Sequence, residues 1–160
     1  MDQLYIICVD DQQEVLNALE QDLSLFDEQL NVEVCDSAGE VLELIEDIDE
    51  RGDLVAVVIS DQVMPGMSGV ELLKAVENDS RLTHTRKVLL TGQATHQDTI
   101  EAINLGGIDR YVAKPWDKTE IINTIKTLLA DYVTRKGVDY SGFMDLIDQK
   151  LLYEILRKQS

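Results

Sequence analysis

Two kinds of apolar pattern alternate along the chain. Five runs have the length of strands: LYIICV (4–9), NVEVC (31–35), LVAVVIS (54–60), KVLLT (87–91) and RYVA (110–113). The third and fourth are almost continuously apolar, as expected of strands buried on both faces. Between the runs, apolar residues recur at helical spacing. Val15, Leu16, Leu19, Leu23 and Phe26 mark the first helix, and Val41, Leu44, Ile45 and Ile48 the second. Ile121, Ile122, Ile125, Leu128 and Leu129 mark the fifth. Ser37, Ser68 and Asp117 each precede a glutamate by three residues, which predicts three capped helix starts. Gly106-Gly107 is read as the stop of the fourth helix. This alternation predicts an α/β fold: a doubly wound, five-stranded parallel sheet with helices on both faces.

The 160 residues suffice for one domain with a core and a short appendage. No apolar run approaches the ~20 residues that span a bilayer. The N-terminus, MDQLYIICVDD, has no basic region and no small-residue cleavage site, so a cytoplasmic protein without membrane contact is expected. Cys8 and Cys35 lie in apolar runs without a CxxC and read as small buried hydrophobes in a reducing compartment. His84 and His96 lie in polar stretches and read as surface residues. The net charge is −17, and it sits in the first 130 residues, which hold 26 acids against 9 bases. Nucleic acid binding needs a basic patch, so that function class is excluded for this chain. An anionic substrate would have to be drawn in by a cation.

The polar residues that end the strands then form a pattern. Asp10 and Asp11 follow the first strand, Asp61 the third, Thr91 ends the fourth, and Lys114 follows the fifth. Ligands of doubly wound sheets bind at this carboxyl edge. Each residue alone reads as structural in so acidic a chain; five on successive strand tips read as a site. Carboxylates about 5 Å apart repel by roughly 3 kcal/mol per pair at an effective dielectric near 20. Three together call for a cation, and oxygen-only ligands suit Mg²⁺ or Mn²⁺. A lysine adds a point charge for phosphoryl oxygens, and a carboxylate is a competent nucleophile toward them. The chemistry indicated is phosphoryl transfer, driven by positioning and charge neutralisation.

Asp10-Asp11, SDQVMPGMSG (60–69), Thr91-Gly92 and KPW (114–116) together resemble the receiver domain of two-component response regulators over about residues 3–130. The resemblance implies the flavodoxin-like strand order 2-1-3-4-5. It implies that Asp61 is the phosphoacceptor for a histidine kinase or phosphotransfer protein. Asp10, Asp11, Asp61 and the backbone carbonyl of Val63 would hold Mg²⁺. Thr91 and Lys114 would contact the phosphoryl group, with Thr91 and Tyr111 as the switch pair. The Lys114-Pro115 peptide would be cis. Such a protein catalyses its own phosphorylation and dephosphorylation without being a conventional enzyme. Gln62 and Gln93 flank the site and are placed to tune phosphoryl lifetime. Trp116, the sole tryptophan, reads as a packing anchor or a partner contact.

Three rival readings compete. A phosphatase of the haloacid dehalogenase type also uses a strand-end aspartate, but wants a second acid two residues later; Asp10 is followed by Asp11, Gln12 and Gln13. A flavodoxin-like binder needs a phosphate-cradling loop after the first strand, where VDDQQ offers two negative charges. A non-catalytic adaptor remains the third.

Residues 131–160 comprise the end of the fifth helix, a turn and an extra amphipathic segment. The fifth helix is expected to stop at Gly137, with Ser141 as the next cap. Phe143, Ile147, Leu151 and Ile155, joined by Leu152 and Leu156, recur every fourth residue as in one helix. So short a helix must pack on something: its own domain, a second copy in a homodimer, or the start of a linker to a missing output domain. Output is expected through a downstream protein target at the face of the fourth and fifth helices.

Overall fold

The structure is a computed structural model that describes residues 2–92 and 107–159. Five strands, β1 (Leu4–Val9), β2 (Asn31–Cys35), β3 (Leu54–Asp61), β4 (Arg86–Thr91) and β5 (Arg110–Ala113), form one parallel sheet in the order β2-β1-β3-β4-β5. The expected fold class and strand order are therefore observed. The third strand runs one residue beyond its expected end, so Asp61 lies inside it. Gly106, Gln93, His96 and the fourth helix of the sequence pattern lie outside the described residues.

Burial explains the apolar runs. In β1, Leu4, Ile6 and Cys8 join one core, and Tyr5, Ile7 and Val9 join the core on the other face. Helix α1 (Gln13–Asp22) covers the first face, and helices α2 (Ala38–Glu50) and α3 (Gly69–Glu77) the second. Helix α4 (Lys118–Lys136), the fifth of the sequence pattern, joins α1 on the first face. The three predicted caps form: Ser37, Ser68 and Asp117 accept from the amides of Glu40, Glu71 and Glu120. α4 ends at Gly137, whose φ of 78° is left-handed and suits a residue without Cβ. Cys8 and Cys35 are both buried and free, on opposite faces of the sheet. Burial pushes the Cys35 thiol up to about 12. His84 is half-buried rather than on the open surface.

The tail departs from the expected single helix. A 3-10 turn spans Ser141–Leu146, and helix α5 spans Gln149–Gln159. Phe143 has non-helical angles and breaks the segment. Ser141 does not cap it; its hydroxyl donates to Asp139. Asp148 starts α5 instead, with Oδ1 accepting the Leu151 amide at 3.1 Å. Phe143, Leu146, Ile147 and Leu152 are buried in the α1–α4 core. The tail thus packs on its own domain.

Candidate functional site

Parallel pairing brings the polar strand tips to one edge. Val9 pairs with Ser60, Asp61 with Leu90, and Thr91 with Ala113. The apolar residues before the tips of β1, β3 and β4 are buried and fix those strands, so their polar ends meet at the rim.

Asp10 is fully buried. Its Oδ1 accepts the Gln12 amide at 2.8 Å, and its Oδ2 accepts from Lys114 Nζ at 2.9 Å. Asp61 is 7% exposed, with Oδ1 2.6 Å from the same Nζ. One ammonium therefore bridges two buried carboxylates. Asp11 is exposed, and one oxygen from each of Asp10, Asp11 and Asp61 lies within 4.8 Å of the others.

The charges do not balance. Burial pushes the Asp61 carboxyl above its ordinary range; the Lys114 ammonium pulls it down and Asp10 pushes it up, and the net shift is upward. Burial alone would lower Lys114, but its bonds to Asp61 and Asp10 outweigh that and raise it. Three acids against one lysine leave two negative charges, which a divalent cation would neutralise. The cluster is all carboxylate, the donor chemistry of Mg²⁺ or Mn²⁺, so the residues fit such an ion.

The remaining predicted residues lie on β4, on β5 and in the segments that follow β3 and β5. Thr91 is half-buried, and its carbonyl accepts the Lys114 amide at 2.7 Å. Tyr111 pairs with Leu89, and its buried hydroxyl has no hydrogen-bond partner among the described residues. Val63 lies two residues beyond Asp61 and is 79% exposed. The Lys114-Pro115 peptide is cis. Trp116 packs on the core and donates from Nε1 to Asp22 Oδ2 at 2.8 Å, as a packing anchor does. With Glu14, Val15, Ala18 and Lys114 it lines a cleft of about 440 Å³ beside the site.

Sequence reasoning missed Gly69. A Cβ there would lie 2.2 Å from the Asp61 carbonyl oxygen, so α3 abuts the strand that carries Asp61. The signal was available: glycine is a poor helix former, and one just inside a capped helix start marks a close approach.

A family model for the response regulator receiver domain matches residues 6–126. The chain belongs to the response regulator receiver family. This receiver is 32% identical over 124 residues to the hydrogenase transcriptional regulatory protein HoxA of Cupriavidus necator, covering 78% of this chain and 24% of HoxA. It therefore spans about a quarter of that relative's length. A signal receiver domain of an HD domain-containing protein from Pseudomonas fluorescens superposes with a TM-score of 0.74 at 28% identity, covering 86% of this chain and 94% of that one. A structure described as adenylate cyclase from Rhodopirellula baltica covers all of both chains, tail included, with a TM-score of 0.70 at 25% identity. Among the described residues no helix is long and apolar enough to cross a membrane.

Proposed function

We propose that the receiver accepts a phosphoryl group on Asp61 from the phosphohistidine of a kinase or phosphotransfer protein. The observation that carries this reading is the shared ammonium: Lys114 Nζ holds Asp10 at 2.9 Å and Asp61 at 2.6 Å beside a third carboxylate. An Asp61 oxygen attacks phosphorus, the P–N bond to the donor imidazole breaks, and the imidazole takes a proton from water. The acyl phosphate that forms is later hydrolysed by water to Asp61 and inorganic phosphate. A Mg²⁺ held by Asp10, Asp11, Asp61 and the Val63 carbonyl would neutralise the charge of the transferring group. Asp10, pinned by Gln12 and Lys114, keeps a carboxylate aimed at the cluster. Lys114 follows the phosphoryl oxygens as its bond to Asp61 is given up. Thr91 and Tyr111 are the switch pair: the Tyr111 hydroxyl has no hydrogen-bond partner among the described residues, so its ring has no polar tie to them to give up. A shift from 1:99 to 99:1 takes about 5.5 kcal/mol of differential stabilisation, within reach of several charge-assisted bonds.

Downstream, the receiver acts on a protein target or an output domain carried beyond these residues. HoxA is a transcriptional regulator and the Rhodopirellula structure is described as a cyclase, so relatives of one receiver fold carry different names for their output. The site's reaction takes place in the cytoplasm, where kinase and phosphoryl donor are present.

Incubation with acetyl phosphate and Mg²⁺ tests the site. A base-labile phosphoryl adduct is expected, one that does not form when a chelator is present from the start or in Asp61→Asn. Uptake that survives Asp61→Asn would sink the assignment, and continuous turnover without an adduct would favour a phosphatase.

A further inference from the structure

The loop that follows Asp61 is tied together at one residue. Gln62 is half-buried, and both of its oxygens accept a backbone amide of α3. Its carbonyl accepts the Gly69 amide at 3.0 Å. Its side-chain Oε1 accepts the Val70 amide at 2.9 Å.

The Val70 amide is one of the first four in α3, for which no helical carbonyl is available. Ser68 satisfies Glu71 locally, at 3.2 Å. Gln62 satisfies Val70 from eight residues back. The first turn of α3 is thus capped twice, once from within its own loop and once from the strand end. Gly69 permits this approach, since any Cβ there would meet the Asp61 carbonyl.

These bonds close residues 62–70 into a ring that includes Val63. Val63 is 79% exposed, so packing does not hold it. Met64, the next residue, is buried in the core on the α2–α3 face. The peptide between Val63 and Met64 is therefore anchored on one side by Met64 and on the other by Gln62.

We propose that Gln62 is a positioning residue for the divalent cation: its side-chain bond to Val70 holds the loop so that the Val63 carbonyl faces Asp10, Asp11 and Asp61. This rests on reading the three-carboxylate cluster as a metal site. Without that bond the ring keeps only the backbone bond from Gly69, and the Val63 peptide turns more freely. The cation then loses a neutral ligand while its carboxylates stay in place.

The test is Mn²⁺ affinity, read from the free-Mn²⁺ signal by electron paramagnetic resonance, together with hydrogen exchange at the Val70 amide. Gln62→Met keeps the length and removes the acceptor. Its affinity is expected to fall roughly tenfold, the lower end of the loss seen when a residue supporting a metal ligand is removed, with faster exchange at Val70. Gln62→Ala is expected to do the same, and Gln62→Glu, which keeps the acceptor oxygen, to restore both readouts. Parental affinity in Gln62→Met and Gln62→Ala overturns the proposal alone. So does affinity restored in Gln62→Glu with Val70 still unprotected, which assigns the gain to added charge. A parent chain that binds no Mn²⁺ overturns the metal reading and the proposal with it.

Discussion

The carboxyl edge of the sheet and the C-terminal tail are built on opposite terms. At the edge, apolar strands carry three carboxylates into one place with a single ammonium between them. In the tail the polar groups are matched. The Asp148 amide donates to the Lys126 carbonyl at 3.1 Å, its carboxylate accepts from Thr127 at 3.1 Å, and Gln29 reaches across to the Gly142 carbonyl at 2.7 Å. Four apolar side chains are buried beneath. The edge buries carboxylates that one ammonium does not balance, whereas the buried part of the tail is apolar and Asp148 is held by neutral partners. Buried carboxylates without enough counter-charge mark the place that awaits a ligand.

The contrast is most severely tested at Lys114. Lys114→Met leaves Asp10 and Asp61 facing each other without their shared cation. The metal-free protein should lose about 3 kcal/mol in urea unfolding, and Mg²⁺ should return part of it. An equal loss with and without Mg²⁺ would show that the edge holds no ion.

The tail should respond differently. Leu152→Ala is expected to cost about 2 kcal/mol, read as faster amide exchange in α5. Acyl phosphate formation at Asp61 should not change; an altered rate would show that the two regions are coupled.

Asp61→Asn should stabilise the metal-free protein by about 1 kcal/mol, because it removes a buried charge that Asp10 opposes. The pH dependence arises from the raised Asp61 carboxyl. The folded state binds more protons there than the unfolded one. Stability without metal therefore falls as pH rises from the ordinary carboxylate range through the raised value. Cation affinity runs the other way and falls as pH drops through the same window. Thermal melts across pH, with and without Mg²⁺, check both signs; Asp61→Asn should flatten both.

The smallest effect belongs to the cap of α5. Asp148→Ala should cost about 1 kcal/mol, confined to the tail. Spread of that loss to exchange at β3 would contradict the separation.

Much of this was legible in the chain because both principal signals are local. The strands β1, β3 and β4 bury both faces, so continuous apolar runs announce them, and the acids and lysine follow each run directly. Three helix starts were equally plain, since a cap and its glutamate lie three residues apart. The tail was harder for a physical reason. A four-residue repeat from Phe143 to Ile155 fits one helix, yet it also fits a 3-10 turn and a helix joined at Ile147. The repeat reports which residues face the core, not whether the backbone between them is continuous. The bonds of Asp148 to α4 and of Gln62 to α3 decide local geometry, and each depends on elements that only the fold brings together. So do Arg86 and Lys87, whose ion pairs with Asp109 at 3.2 and 3.8 Å hold the start of β5.

The anchoring of α5 also sets a path for force. Counting back from Gln159, Leu152 is the first buried residue, and Asp148 beyond it is bonded to Lys126 and Thr127, midway along α4. A pull applied beyond Gln159 does not reach Gly137, where the chain leaves α4, until those contacts have parted. The tail would peel one bond at a time, while the parallel sheet resists with many bonds loaded together. A load on the tail is thus released before it can disturb the strand tips that hold Asp61.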